Sequence, residues 1–388
     1  MAVAEQALEL RKFVSPEFVL GLKARTLAGR YAHNLGGSKL LIVSDPGVAA
    51  AGWCEAVLES LEAQGLPYCL FNDVRPNPSA EQVHEGAEYF REQGCNLLLA
   101  VGGGSPIDCA KGIGIVSANG GDVLDYVGVD EVPAPCPPLI CVPTTGSAAD
   151  VSQFCILSDN ASRTKVAILS KALVPDVSLI DPETMTTLPA EMTAHTAFDA
   201  LTHAIEAYLS NASSPITDMF ALEAIRLITT YLPASLADPT NLDLRHQLML
   251  GSLDAGMAFS NAGLGIVHAM AHSLGGWLDL PHGMCISMLL DVGIAYNFPA
   301  VPERCLAIAE AMRLPVRAVD SRYGLSALRA EIDRLRNVAG IQKTLHQAGI
   351  RRGDIPALAQ NAMDDACMAT NPRWPTPHDI ETLYEQAF

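Results

Sequence analysis

At 388 residues the chain exceeds what one hydrophobic core usually supports, so two domains are expected. A composition 49% hydrophobic and 18% charged belongs to a packed globular protein and excludes a disordered or fibrous one. The 43 acidic and 25 basic side chains leave a formal charge of −18, which repels phosphate backbones and anionic lipid, so neither nucleic acid nor membrane is expected as a partner.

The first sixteen residues, MAVAEQALELRKFVSP, mix charged and apolar side chains and lack the continuous apolar centre of a signal peptide. No stretch reaches the roughly 18 uninterrupted apolar residues that a membrane span needs. The ten cysteines are scattered and form no CxxC pair, so reduced thiols and a cytoplasmic location are expected.

Lys39–Val43 reads as a strand, followed by Asp45 and a helix rich in Ala, Glu and Leu. Tyr68–Phe71 is a second strand, then comes the turn Pro76-Asn77-Pro78 and a helix over 79–93. Asn96–Val101 is a third strand and runs directly into Gly102-Gly103-Gly104, while Leu139–Val142 is a fourth. Continuous apolar strands alternating with helices predict a parallel sheet covered on both faces. After Leu179-Ile180-Asp181-Pro182 strand-like runs nearly disappear and helical periodicity takes over. The expected fold is therefore an α/β, Rossmann-like dinucleotide-binding domain over 1–185 and an all-helical domain over 186–388.

Val101-Gly102-Gly103-Gly104-Ser105-Pro106-Ile107-Asp108 follows a buried strand and opens a helix. Glycines permit close backbone approach, Pro106 suits a first helical turn, and free amides at a helix start attract pyrophosphate. The pattern is not GxGxxG, and a bare glycine turn is often only structural. Asp45, just beyond the first strand, is placed to accept hydrogen bonds from an adenosine ribose and to repel a 2′-phosphate, favouring NAD over NADP. Thr144, Thr145 and Ser147 follow the fourth strand, where a capped helix start explains them equally well. Lys165 offers a charge for a cofactor hydroxyl or phosphate, although a lone lysine is more often solvated.

The second half carries a denser signal. Asp199 and His203 are four residues apart in a helical run, and so are His268 and His272, so each pair shares a helix face. His282 follows Pro281 on an expected turn. A single buried histidine is usually a satisfied core residue, but a carboxylate with four histidines is costly to bury unpaired and points to a metal. Such donors suit Fe(II) or Zn(II) rather than Ca(II) or Mg(II). Spacing alone also permits His268 and His272 as a ligand pair, but the glutamate of HExxH is absent, which argues against a zinc protease. His195 and Glu206 lie beside the first pair, and Phe259 is either a cleft-lining or a core aromatic.

In combination, GlyGlyGlySerProIleAsp, ProThrThr, PheAspAlaLeuThrHisAlaIleGlu, GlyMetAlaPheSerAsnAlaGlyLeuGly, HisAlaMetAlaHisSerLeuGly, ProHisGly and AsnProArgTrpProThrProHisAspIle resemble the iron-containing (group III) alcohol dehydrogenase family. The resemblance runs in order over nearly the whole chain. It implies metal ligands at Asp199, His203, His268 and His282, and an additional active-site histidine at His272. It implies NAD contacts at Asp45, Asn77, Gly103, Gly104, Ser105, Thr144, Thr145 and Lys165, with Asp108 included as the end of the glycine motif. It also implies a homodimer. One stretch departs from the family: after ProThrThr the chain reads GlySerAlaAlaAspVal, at least one residue shorter than usual, with Asp150 in place of glutamate.

The expected activity is interconversion of a small primary alcohol and its aldehyde, with the metal polarising the oxygen and hydride passing to NAD. A non-redox lyase of the dehydroquinate-synthase-like superfamily and a regulatory relative with weak turnover are the competing readings.

Overall fold

Strands buried on both faces need no alternation of polar and apolar residues, and one unit of this chain is built on them. The computed structural model describes residues 11–315 and 321–388, so most of the segment read as lacking a signal peptide falls outside the described residues. The chain forms two compact units, Val14–Leu188 with Thr240–Met249, and Pro189–Pro239 with Leu250–Phe388.

The first unit runs β1 (Glu17–Leu20), α1 (Ala28–Asn34), β2 (Leu40–Val43), α2 (Pro46–Ala50), α3 (Trp53–Ala63), β3 (Tyr68–Phe71), α4 (Ala80–Glu92), β4 (Leu97–Gly102), α5 (Gly104–Asn119), β5 (Gly128–Val129), β6 (Leu139–Pro143), β7 (Phe154–Asp159), β8 (Thr164–Leu169) and β9 (Val177–Ile180). Six strands form a parallel sheet in the order β1-β9-β6-β4-β2-β3. Every residue of β2, β4, β6 and β9 is buried. Successive residues feed opposite faces, Leu41 and Val43 into one core, Leu40 and Ile42 into the other. The chain reverses direction across the sheet between β2 and β4. The segments after these two strands, which begin with Asp45 and Gly103, therefore flank a topological switch point, the usual ligand crevice of such sheets.

A second, three-stranded sheet, β5-β8-β7, was not expected from the sequence. Its antiparallel pair joins Phe154–Asp159 to Thr164–Leu169 and places Lys165 opposite Ser158. One face of the hairpin packs inward through Cys155, Leu157 and Ile168, and its two apolar runs, Phe154–Leu157 and Val166–Leu169, are joined by a short, largely polar tip rather than by a helix.

The helical unit comprises α6 (Ala190–Leu209), α7 (Pro215–Ala237), α8 (Leu242–Ala262), α9 (Ile266–Leu278), α10 (His282–Asn297), α11 (Pro302–Ala311), α12 (Ser321–Ala339), α13 (Ile355–Met363) and α14 (Pro377–Gln386), with the first part of α8 grouping with the α/β unit. From Ala197 to Leu209 every residue of α6 is buried, so this helix is interior rather than amphipathic. It packs against α7 and α10, and α9 packs against α10 and α13. Among the described residues no helix is long and apolar enough to cross a membrane.

Candidate metal centre and nucleotide-binding edge

Asp199, His203 and Glu206 lie on one buried face of α6, at spacings of four and three residues. His268 enters from the first turn of α9, and His282 from the first residue of α10. Their Nε2 atoms converge on Asp199 Oδ1, at 3.4 Å for His282, 3.5 Å for His268 and 3.6 Å for His203. Metal–ligand bonds of about 2.1 Å place neighbouring atoms of a tetrahedral set about 3.4 Å apart, so this is ligand spacing. Asp199 Oδ1 and His268 Nε2 are buried and lack hydrogen-bond partners. Burying a carboxylate oxygen and an imidazole nitrogen in that way is unfavourable unless a cation sits between them. The residues fit a divalent first-row ion.

The electrostatics agree with that fit. Burial alone would raise the Asp199 carboxyl, but the imidazoles of His203 and His282 hold it well below the usual carboxylate range. Burial pushes His203 down to about 3 against the pull of Asp199, leaving a neutral ring of the kind a metal requires. On His268 burial also acts downward, but Asp199 and Glu206 lift the imidazole to about 9, a proton that a cation replaces.

Glu206 organises the entry of His268. Its carboxylate accepts from His268 Nδ1 at 2.6 Å and from the backbone N–H groups of Gly265, Val267 and His268. Asn371 Oδ1 accepts the remaining N–H of that turn, from Ile266, and exchanges amide hydrogen bonds with Asn297. The start of α9 is thus capped by side chains from elsewhere in the chain. Gly265 makes room for them, because a Cβ there would lie 2.7 Å from Asn371 Oδ1 and 3.0 Å from Glu206 Oε1.

His272, one turn after His268, has a different partner. Its Nδ1 lies 2.8 Å from Asp365 Oδ2, and the other Asp365 oxygen accepts from the Cys367 N–H. The His272 ring stands 5.2 Å from that of His282. Phe259 is buried and stacks on His203 with centroids 4.1 Å apart. His195 is half-buried on α6, and its backbone carbonyl abuts Gly283.

At the sheet edge of the α/β unit, Asp45 caps α2, its Oδ1 accepting from Val48 N–H at 2.9 Å. Gly103 is the N-cap of α5, whose first residue is Gly104. A Cβ on Gly103 would lie 2.9 Å from Thr145 Oγ1, and one on Gly104 would face Ser147. Ser147 Oγ is buried there with no hydrogen-bond partner. Thr144 N–H donates to Gly102 O, joining the β6 loop to the glycine turn. Asn77, Ser105 and Lys165 come together: Asn77 N–H donates to Ser105 Oγ at 3.3 Å, and Lys165 Nζ to Asn77 Oδ1 at 2.8 Å. Lys165 is therefore buried, not solvated. Asp108, one turn further along α5, is pushed by burial up to about 7, with Lys111 and Lys165 opposing. Bare glycine backbone, an unpartnered hydroxyl and flanking Asp and Lys form an edge suited to a dinucleotide.

Two family models cover almost the whole chain: iron-containing alcohol dehydrogenase over residues 15–182, and the C-terminal domain of the Fe-containing alcohol dehydrogenase family over 193–388. The chain belongs to the iron-containing alcohol dehydrogenase family. It is 40% identical to a 1,3-propanediol dehydrogenase of Klebsiella pneumoniae, covering 95% of this chain and 96% of that one. It is 35% identical to an NAD-dependent methanol dehydrogenase of Bacillus methanolicus, covering 97% and 99%. The structure of a 1,3-propanediol oxidoreductase superposes with a TM-score of 0.94 at 38% identity, over 98% of this chain and all of the other.

Three further residues of this dehydrogenase were given no role by the sequence reading. Asp365 acts on α9 from about a hundred residues away with no local signal, while Asn371 opens the motif AsnProArgTrpProThrProHisAspIle, which carried the resemblance without a role for its asparagine. Lys111 carried a weak signal, a lone lysine in an otherwise apolar stretch of helix.

Proposed function

We infer that this chain is an NAD-linked, metal-dependent alcohol dehydrogenase that interconverts a small primary alcohol and its aldehyde by hydride transfer. The observation that carries the reading is the convergence of three imidazole nitrogens on one aspartate oxygen at ligand spacing, in a member of a family named for iron. Relatives named for 1,3-propanediol and methanol support small alcohols as the substrate class.

Asp199, His203, His268 and His282 are the proposed ligands of Fe(II), with Zn(II) the other ion suited to the donors. When bound, the ion supplies Lewis acidity at the alcohol oxygen and NAD supplies the hydride acceptor. Asp199 offsets part of the cation's charge, and Glu206 fixes the ring of His268 through Nδ1. His272, held at Nδ1 by Asp365, keeps Nε2 as the atom that takes or delivers the alcohol proton. At the other site Asp45 would hold the adenosine ribose, and Gly103, Gly104 and Ser105 would cradle the pyrophosphate. Asn77 and Lys165 act as one hydrogen-bonded pair, with Asp108 beside them, and Thr144 and Thr145 border the cofactor on the β6 side. A cytoplasmic homodimer completes the reading. The ten free thiols support the compartment, and the family resemblance supports the assembly.

His272→Ala should lower kcat on the order of 100-fold or more while metal content stays close to wild type. Metal analysis beside steady-state kinetics checks this, and loss of the metal would move His272 into the ligand set. Asp45→Gly should reduce the preference for NAD over NADP by about tenfold or more, since it removes the carboxylate that repels a 2′-phosphate. An unchanged ratio of kcat/KM values for the two cofactors would take Asp45 out of the site.

A further inference from the structure

Lys111 is almost wholly buried, yet its partners are backbone carbonyls rather than a carboxylate. Its Nζ donates to Phe154 O at 2.6 Å, Ala149 O at 2.7 Å and Ser152 O at 2.9 Å, with Ser152 Oγ at 3.3 Å. Three carbonyls account for the three donors of an ammonium group. All three belong to one short segment, the end of the loop that leaves β6 at Thr144 and enters β7 at Phe154. Lys111 itself lies two turns into α5, the helix that the glycine turn opens.

The same loop needs holding. Ala148 adopts φ 58°, a left-handed conformation that a side chain disfavours. The loop's first half is seated on the glycine turn, through Thr144 N–H to Gly102 O and through Thr145 against Gly103. Its second half is seated on the same helix through Lys111.

We propose that Lys111 is a positioning residue for the dinucleotide, clamping the β6–β7 loop so that Thr144, Thr145 and Ser147 hold a fixed distance from the glycine turn. This rests on the reading of the sheet edge as the NAD site. The strand order β6-β4-β2 places the loop at one side of the glycine turn and Asp45 at the other. With the adenosine half beside Asp45 and pyrophosphate at the turn, the clamped loop serves the nicotinamide half. Loss of the clamp therefore weakens the whole dinucleotide and spares a ligand that ends at the adenosine phosphate.

The test is calorimetric titration of NADH and of AMP into metal-loaded wild type, Lys111→Met and Lys111→Gln. Lys111→Met is expected to bind NADH about tenfold or more weakly while AMP stays within about twofold, because only the preorganisation of the loop is lost. Lys111→Gln, which keeps two donors, is expected to fall between wild type and Lys111→Met. A folded variant with wild-type NADH affinity overturns the proposal, as does equal weakening of NADH and AMP. Failure of both variants to fold overturns it too, by making Lys111 a residue of the fold. Wild type that binds no NADH fails at an earlier step and removes the NAD reading itself.

Discussion

Replacing His268 by alanine is expected to empty the metal centre and to lower kcat/KM on the order of 1,000-fold or more. His268 is the most deeply buried of the three converging imidazoles, and its Nε2 has no hydrogen-bond partner in the protein. The helix that carries it begins at an N-terminus capped by Glu206 and Asn371, so its position is set independently of any ion. Deletion of the ring removes one proposed ligand and leaves three donors to hold an ion in a site shaped for four. Metal analysis after dialysis, with kinetics on the same preparation, reads both effects. A His268→Ala protein that retains its metal and turns over normally would show that His268 is not a ligand.

The second large effect is expected at Glu206, which touches neither substrate nor cofactor in the proposed site. Glu206→Ala strips the acceptor from three backbone N–H groups and from His268 Nδ1. Leaving such donors buried and unpaired should cost about 3–5 kcal/mol of stability. Because the same carboxylate orients a proposed ligand, metal affinity should also fall about 10- to 100-fold. Glu206→Gln retains one carbonyl oxygen as acceptor and should lie between the two. Denaturant titration and competition with a metal chelator separate the stability effect from the affinity effect. Loss of stability with unaltered metal affinity would make Glu206 a helix cap only.

The parallel sheet was legible because burial on both faces writes strands such as LLIV and NLLLAV as unbroken apolar runs. The β7–β8 hairpin was not, since its apolar runs Phe154–Leu157 and Val166–Leu169 are joined by a short, largely polar tip with no helix between them, so the strand–helix alternation that marks a parallel sheet is missing. Helical spacing could pair Asp199 with His203 and His268 with His272, but His282 and the choice of the four-residue set rested on the family resemblance, and the structure brings Asp199, His203, His268 and His282 together. The distinction between His268 and His272 was not available from their spacing. It comes from their partners, Glu206 on α6 for one and Asp365, 93 residues downstream, for the other. Lys165 looked like a surface lysine for a related reason. The partner that accounts for its burial, Asn77, is 88 residues away in sequence and arrives only when the hairpin folds across the sheet edge.

Metal content by mass spectrometry on anaerobically purified protein, paired with NADH formation across a panel of short primary alcohols, tests the central claim most directly. The account predicts stoichiometric iron or zinc together with NADH production from at least one alcohol. A chain that takes up neither metal after anaerobic reconstitution would contradict it, and metal without turnover on any alcohol would turn the assignment toward a non-redox or regulatory member of the superfamily.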